Sequence, residues 1–266
     1  NLVNGTHAPE NTHLLTDTRR VEWRFDGMVV SDWGGSNSAV EAARAGGSLE
    51  MPAPGLAGAR QIVAAVEAGE LDAADVYARA QEVLNVAAAS AGLPAPTPYD
   101  LDEHHALATR IASEAITLLR NENDLLPLST GTSVALIGDL ADTPRFQGSG
   151  SSQVNPTRTE ASLELLEAGG EAARGRVLAG YARGYERHGG TSDALIAEAV
   201  DLAKSADVAL VYVGLDELAE SEGLDRPHMR LPDGQDRLVE AVVAANPCTV
   251  VVLTGGASVE MPWAGS

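Results

Sequence analysis

The chain has 266 residues, 38 acidic and 18 basic, and so a formal charge of −20. An excess of this sign repels phosphate backbones and anionic lipid, so neither nucleic acid nor a membrane surface is an expected partner. With 44% apolar and 21% charged residues it can bury a core in one large domain or two ordinary ones, and at 4% aromatic that core must be mostly Ala, Val and Leu.

The start, Asn1-Leu2-Val3-Asn4-Gly5, has neither the basic region nor the apolar run of a signal peptide. Both ends read as cuts, since the chain lacks an initiator Met and stops abruptly after Met261-Pro262-Trp263-Ala264-Gly265-Ser266. The sequon Asn4-Gly5-Thr6 is too short a signal to imply glycosylation. A first short strand is expected at Gly27–Ser31, followed at once by Asp32-Trp33-Gly34-Gly35. A helix follows from Asn37 to Ala45, ended by Gly46-Gly47, and a second strand, Ser48–Met51, stops at Pro52. Apolar residues at three- and four-residue spacing predict helices over Ala57–Ala68 and Ala73–Ala89. Gly92-Leu93-Pro94-Ala95-Pro96-Thr97-Pro98 then has the composition of an interdomain linker.

Beyond it a helix is expected from Asp102 to Leu119. Strands follow at Ser133–Ile137, Val177–Tyr181, Val208–Val213 and Thr249–Leu253, with helices at Ala161–Glu167, Ser192–Ser205 and Gln235–Ala244 between them. The continuous apolar runs are those of buried parallel strands, and the alternation is that of α/β architecture. No run approaches the roughly 18 apolar residues of a membrane span. The single cysteine, Cys248, excludes an intrachain disulfide and, beside the apolar run 249–253, is expected to be a small buried thiol. The six histidines form no metal-binding set, so no metal is expected.

Three stretches could carry chemistry. Asp32 lies just past an apolar strand, where α/β enzymes place reacting groups; it could equally cap the following turn or helix. The segment Gly214–Pro227, also following a strand, contains five carboxylates. Clustered like charges raise one another's pKa, which can keep a glutamic acid protonated; a solvated acidic loop is the alternative. Gln147-Gly148-Ser149-Gly150-Ser151-Ser152-Gln153 lacks the Gly-Lys-Ser/Thr ending of a phosphate cradle. It reads as a loop bringing backbone and hydroxyl donors to a polar ligand, or as a plain turn.

Together these stretches resemble glycoside hydrolase family 3, the β-glucosidase and β-xylosidase type. The likeness is carried by Val3-Asn4-Gly5, Leu14-Leu15-Thr16-Asp17, the run from Phe25 through Ser31-Asp32-Trp33-Gly34, and Leu49-Glu50-Met51-Pro52. Downstream it is carried by Leu118-Leu119-Arg120-Asn121-Glu122, Leu125-Leu126-Pro127-Leu128, Gly148-Ser149-Gly150-Ser151 and Glu222-Gly223-Leu224-Asp225-Arg226. The resemblance implies a (β/α)8-type barrel followed by an α/β sandwich domain, with the active site between them. Residues 1–92 would then be the C-terminal part of the barrel, carrying the nucleophile, 93–101 a linker and 102–266 the sandwich, expected to be truncated. It implies Asp32 as nucleophile, Glu222 as general acid/base with Glu220 in reserve, and Trp33 and Ser149 as sugar-binding residues.

The implied reaction is retaining hydrolysis of terminal β-linked sugars, with a small carbohydrate as partner and no cofactor. The family's sugar-gripping Asp, Arg and Lys-His pair, which come from earlier barrel strands, are absent from these residues, so the chain alone is expected to be inactive. The rival readings are a non-catalytic carbohydrate-binding or assembly module and a nucleotide-binding regulatory domain built on Val134–Asp139. An unpaired cysteine and the absence of a leader suit the cytoplasm.

Overall fold

Asn4 and Gly5 both adopt positive φ, 51° and 83°. They turn β1 (Leu2–Val3) back onto β2 (Thr6–His7), with Leu2 opposite His7 and Val3 opposite Thr6. Asn-Gly is the pair that such a tight hairpin favours, so the triplet set aside as a sequon has a structural role. The hairpin opens the first of two units in the computed structural model, Asn1–Tyr99; the second begins at Asp100, and residues 1–265 are described.

The first unit continues through a π-helix, His13–Glu22, which the apolar pattern did not announce. Three α-helices follow: α1 (Ala39–Ala45), α2 (Leu56–Glu67) and α3 (Ala73–Ala91). Ser38 caps α1 by accepting the Glu41 N–H, and Asp72 caps α3 by accepting the Ala74 N–H, which sets both starts within two residues of expectation. Their small core gathers Ala43, Ala65 and Leu71 with Val40, Ile62, Val66 and Val76. The expected strands Gly27–Ser31 and Ser48–Met51 need correction. They run parallel and exchange backbone hydrogen bonds through Val29, Ser31 and Leu49, but only Val30 and Leu49 form a bridge. Each segment has only the other as a paired neighbour among the described residues, and their pairing amounts to that single bridge.

Glu82 on α3 is buried and holds this unit's parts together. It receives both Arg20 from the π-helix, at 2.6 and 2.7 Å, and Arg79, at 2.7 and 3.1 Å. The Ser48 hydroxyl donates to it at 2.5 Å while accepting the Val29 N–H at 3.0 Å. Burial alone would raise the Glu82 pKa, but the hydrogen bonds from Ser48, Arg79 and Arg20 outweigh it and hold the carboxyl below the ordinary glutamate range.

The second unit begins with α4 (Leu101–Ala115), capped by Asp100. The helix stops short of the expected Leu119 because Ile116 is extended, followed by the β-branched Thr117. Strands β3 (Ser133–Ile137), β4 (Val177–Ala182), β5 (Val208–Gly214) and β6 (Thr249–Thr254) form one parallel sheet in the order β4-β3-β5-β6. Between them run α5 (Asp139–Asp142), α6 (Ser162–Ala168), α7 (Asp193–Lys204) and α8 (Gln235–Ala245). The α/β reading and its parallel sheet therefore stand. The core is made of Ala, Val and Leu, with Ile137 and one aromatic, Tyr185, whose hydroxyl donates to the Tyr212 carbonyl at 3.0 Å.

Two expectations fail at β6. It is half-buried throughout, being an edge strand of the four. Cys248 is exposed: it sits in the turn before β6, where the Asn246 side chain accepts its N–H and its carbonyl accepts the Ala209 N–H, so its backbone is engaged while its thiol faces outward.

Replacing Glu82 with Ala strands two guanidinium groups and should cost about 3 kcal/mol of stability, read as a fall in denaturation midpoint. Because the folded pKa is depressed, this contribution is present above the ordinary value of 4.5 and is lost as the pH falls through the lower folded value. Acid unfolding of the wild type below that range should therefore flatten in Glu82→Gln; identical pH profiles would exclude the assignment.

Candidate active site

Parallel sheets place reacting groups beyond the C-terminal ends of their strands, above all where the strand order reverses. In the second unit the chain passes from β3 outward to β4, then back across β3 to β5, so the reversal lies between β3 and β5. The Gly-Ser loop follows β3 and the acidic stretch follows β5. Gly138 permits the exit from β3: its φ is +110°, and a Cβ there would lie 2.1 Å from the Tyr212 carbonyl oxygen.

The β5 exit is held by several side chains. Gln235, fully buried at the start of α8, accepts the Gly214 N–H at 2.8 Å and donates to the Gly214 carbonyl at 3.0 Å. Asp216 turns the chain by accepting the N–H groups of Leu218 and Ala219 at 2.9 and 2.6 Å. Arg145, from the loop after β3, donates to the Leu215 carbonyl at 3.1 Å and to Glu220 at 2.5 Å. Glu220 also accepts the Gly256 N–H at 2.9 Å, so three loops meet at one ion pair.

Glu222 is placed differently. It is exposed, its N–H donates to the Ser149 carbonyl at 3.1 Å, and its Oε2 accepts from Ser151. The reserve candidate Glu220 is thus a structural anchor in this geometry, while Glu222 presents its carboxyl outward. The expectation that crowded carboxylates raise one another's pKa is corrected. For Glu220, burial pushes upward but Arg145 and the Gly256 N–H more than offset it; for Glu222, the Ser151 hydroxyl and N–H hold it low. Burial likewise opposes, and Arg187 outweighs it, at Glu217, which Arg187 grips at 3.0 and 3.1 Å while also reaching the buried Asp139 at 2.8 Å. The acids are partitioned among donors instead of facing one another.

In the first unit Asp32 follows the extended segment 29–31. Ser31 accepts the Met51 N–H at 2.8 Å, and the Gly34 N–H donates to the Met51 carbonyl at 3.0 Å. The Asp32 carboxylate is exposed and accepts the Trp33 N–H at 2.7 Å; Ser38, not Asp32, caps α1. Trp33 is 67% exposed. Asp32 lines a cavity of about 680 Å³ within this unit, whose polar lining also includes Asn1, Ser31, Ser36 and Glu50.

Asp32 and Trp33 are thus together on one loop, and Ser149, Glu220 and Glu222 together in the other unit. Sequence reasoning passed over Ser151, Arg145 and Gln235. The alternating Gly148-Ser149-Gly150-Ser151 pattern was the available signal for the first; nothing local marks the other two. Among the described residues no group of three or more His, Cys, Asp or Glu is placed to hold a metal ion, and no helix is long and apolar enough to cross a membrane.

Comparison with known proteins bears on this arrangement. The family model for the glycosyl hydrolase family 3 C-terminal domain matches residues 116–266. The chain is 42% identical to "Thermostable beta-glucosidase B" of Acetivibrio thermocellus over 99% of its own length and 35% of that protein's. It is 39% identical to "Exo-alpha-(1->6)-L-arabinopyranosidase" of Bifidobacterium breve over 99% of its length and 36% of that relative's. Among solved structures, a GH3 beta-glucosidase from Bifidobacterium adolescentis superposes with a TM-score of 0.86 at 40% identity, covering 98% of this chain and 38% of that one. DesR, a beta-glucosidase from Streptomyces venezuelae in complex with D-glucose, gives a TM-score of 0.86 at 26% identity, covering 98% and 48%. The chain therefore spans about a third of the length of these curated relatives.

The two neighbouring glutamates should separate in a stability assay. Glu220→Gln weakens a largely buried ion pair and should cost roughly 2 kcal/mol, whereas Glu222→Gln should leave the thermal midpoint nearly unchanged. Equal losses in thermal denaturation would contradict the division into anchor and presented carboxyl.

Proposed function

Because the chain belongs to glycoside hydrolase family 3, we propose that the protein at full length hydrolyses terminal β-linked sugars with net retention, as a β-glucosidase does. Residues 1–92 then form the C-terminal part of a (β/α)8-type barrel carrying the nucleophile, 93–101 a linker and 102–266 an α/β sandwich domain. The observation that carries the reading is Glu222: an exposed carboxyl beyond the reversal point of a parallel sheet, with one oxygen clamped by the neighbouring loop.

In this reading the ionised Asp32 attacks the anomeric carbon while Glu222 gives its proton to the glycosidic oxygen. The C–O bond breaks with its electron pair on that oxygen, leaving a glycosyl ester on Asp32. Glu222, now a carboxylate, takes a proton from water; the water oxygen attacks the anomeric carbon and Asp32 is released. Such chemistry requires the two carboxyl groups about 5–5.5 Å apart across the scissile bond. The exposed Trp33 indole offers an apolar face for a sugar ring, and Ser149 a hydroxyl from the acid/base side. Relatives bearing glucosidase and arabinopyranosidase names match these residues at 42% and 39% identity, so this part of the protein is compatible with more than one sugar.

Release of 4-nitrophenol from an aryl β-glucoside by the full-length protein tests the proposal. Asp32→Asn should lower turnover by roughly 10³-fold or more. Azide added to Asp32→Gly should return the α-glycosyl azide, and azide added to Glu222→Ala the β-glycosyl azide. Undiminished turnover in Asp32→Asn would overturn the assignment. The 266-residue chain alone should release no nitrophenol, since remote sugar contacts are needed for positioning at the reacting carbon.

A further inference from the structure

The Glu222 side chain is tied at one atom. Its Oε2 accepts the Ser151 hydroxyl at 2.5 Å and the Ser151 N–H at 2.6 Å. Gly150 makes this approach possible: its φ is +105°, and a Cβ there would lie 2.6 Å from the Glu222 Cβ and 2.7 Å from its Oε2. The two segments are further stitched by the Glu222 N–H on the Ser149 carbonyl. The sequence resemblance pointed to Ser149, yet the side chain that meets the acid is Ser151.

We propose that Ser151 is a positioning residue that clamps Oε2 of Glu222 and thereby assigns the transferable proton to Oε1. The inference rests on the reading of Glu222 as the acid/base. A backbone N–H can only donate, and a protonated Oε2 would accept it more weakly than a carbonyl oxygen does and would force the Ser151 hydroxyl to turn from donor to acceptor, so the two contacts favour Oε2 as the unprotonated oxygen. The acid form therefore carries its proton on Oε1, the oxygen the clamp leaves for the leaving group. As that proton passes to the glycosidic oxygen and the C–O bond breaks, the negative charge appearing on the carboxylate meets two donors already in place. The same contacts favour the ionised form, so acid catalysis fades at a lower pH than it would without them. The facing segment, 149–151, carries no titratable side chain, and no charged side chain pairs with Glu222 among the described residues. On its own loop Glu220 is committed to Arg145.

The test compares Ser151 variants of the full-length protein by kcat/KM, which reports the glycosylation step, on phenyl and 2,4-dinitrophenyl β-glucosides. The phenolate leaving group needs a proton and the dinitrophenolate does not. Ser151→Ala should lose roughly tenfold on the phenyl glucoside, little on the dinitrophenyl glucoside, and the alkaline limb of its pH profile should move upward. Ser151→Thr, which keeps hydroxyl and N–H, should match the wild type, and the near-isosteric, weaker donor in Ser151→Cys should fall between. Equal losses on both substrates, or an unmoved alkaline limb, would overturn the clamp. Glu222→Ala separates the two levels: if it retains phenyl glucoside turnover, the acid/base reading fails; if it is inactive while the Ser151 variants behave as wild type, the clamp alone fails.

Discussion

Guanidinium groups gripping buried or half-buried carboxylates are the joints on which both units depend. The protein has 38 acidic and 18 basic residues, and every basic residue except Lys204 is arginine. A core of Ala, Val and Leu supplies few bulky side chains to lock the loops above it, whereas a planar fork can satisfy both oxygens of a carboxylate at once. Glu82 collects Arg20 and Arg79, Asp139 collects Arg183 and Arg187, and Glu220 collects Arg145. Each joint ties segments far apart in sequence, and losing one partner leaves the other stranded in a poor solvent for charge.

Scarcity of cations then sorts the acids. Glu82, Asp139 and Glu220 each hold an arginine and are buried or half-buried, while Asp32 and Glu222 have only backbone and hydroxyl donors and stay at the surface. Both nevertheless stand on well-braced backbone. Behind Asp32 the chain runs through Ser48 and Val29 to Glu82; behind Glu222 it runs through Arg145, Glu220 and the Gln235 amide on Gly214. The proposed reaction asks that combination of both carboxylates, since each must be rigid at its base and still reachable by a substrate.

The reversal of strand order between β3 and β5 supplies the rest. Two loops that are 71 positions apart, as counted from Ser151 to Glu222, emerge side by side because their strands are neighbours in the sheet. Gly138 and Gly150, both with positive φ, let backbone and carboxylate come closer than any side chain would allow. The meeting of these two loops is thus a product of parallel topology.

Local signals carried the regular elements. The apolar runs of β3 and β5 and the ranges of α7 and α8 are written within a few residues of one another, so they were legible before any fold was known. Asn4-Gly5 was equally local and was passed over. The Ser-Asp-Trp and Glu-Gly-Leu-Asp-Arg stretches also marked their loops from sequence alone. What composition could not reveal was the charge state of the acidic loop, the exposure of Cys248, or which serine meets Glu222. A pKa depends on which donors arrive from other strands, and burial depends on what packs overhead. The residues themselves determined the helices, the parallel strands and the loops that bear carboxylates. Only the folded chain decided which of those carboxylates an arginine would capture, because that is settled by neighbours remote along the backbone.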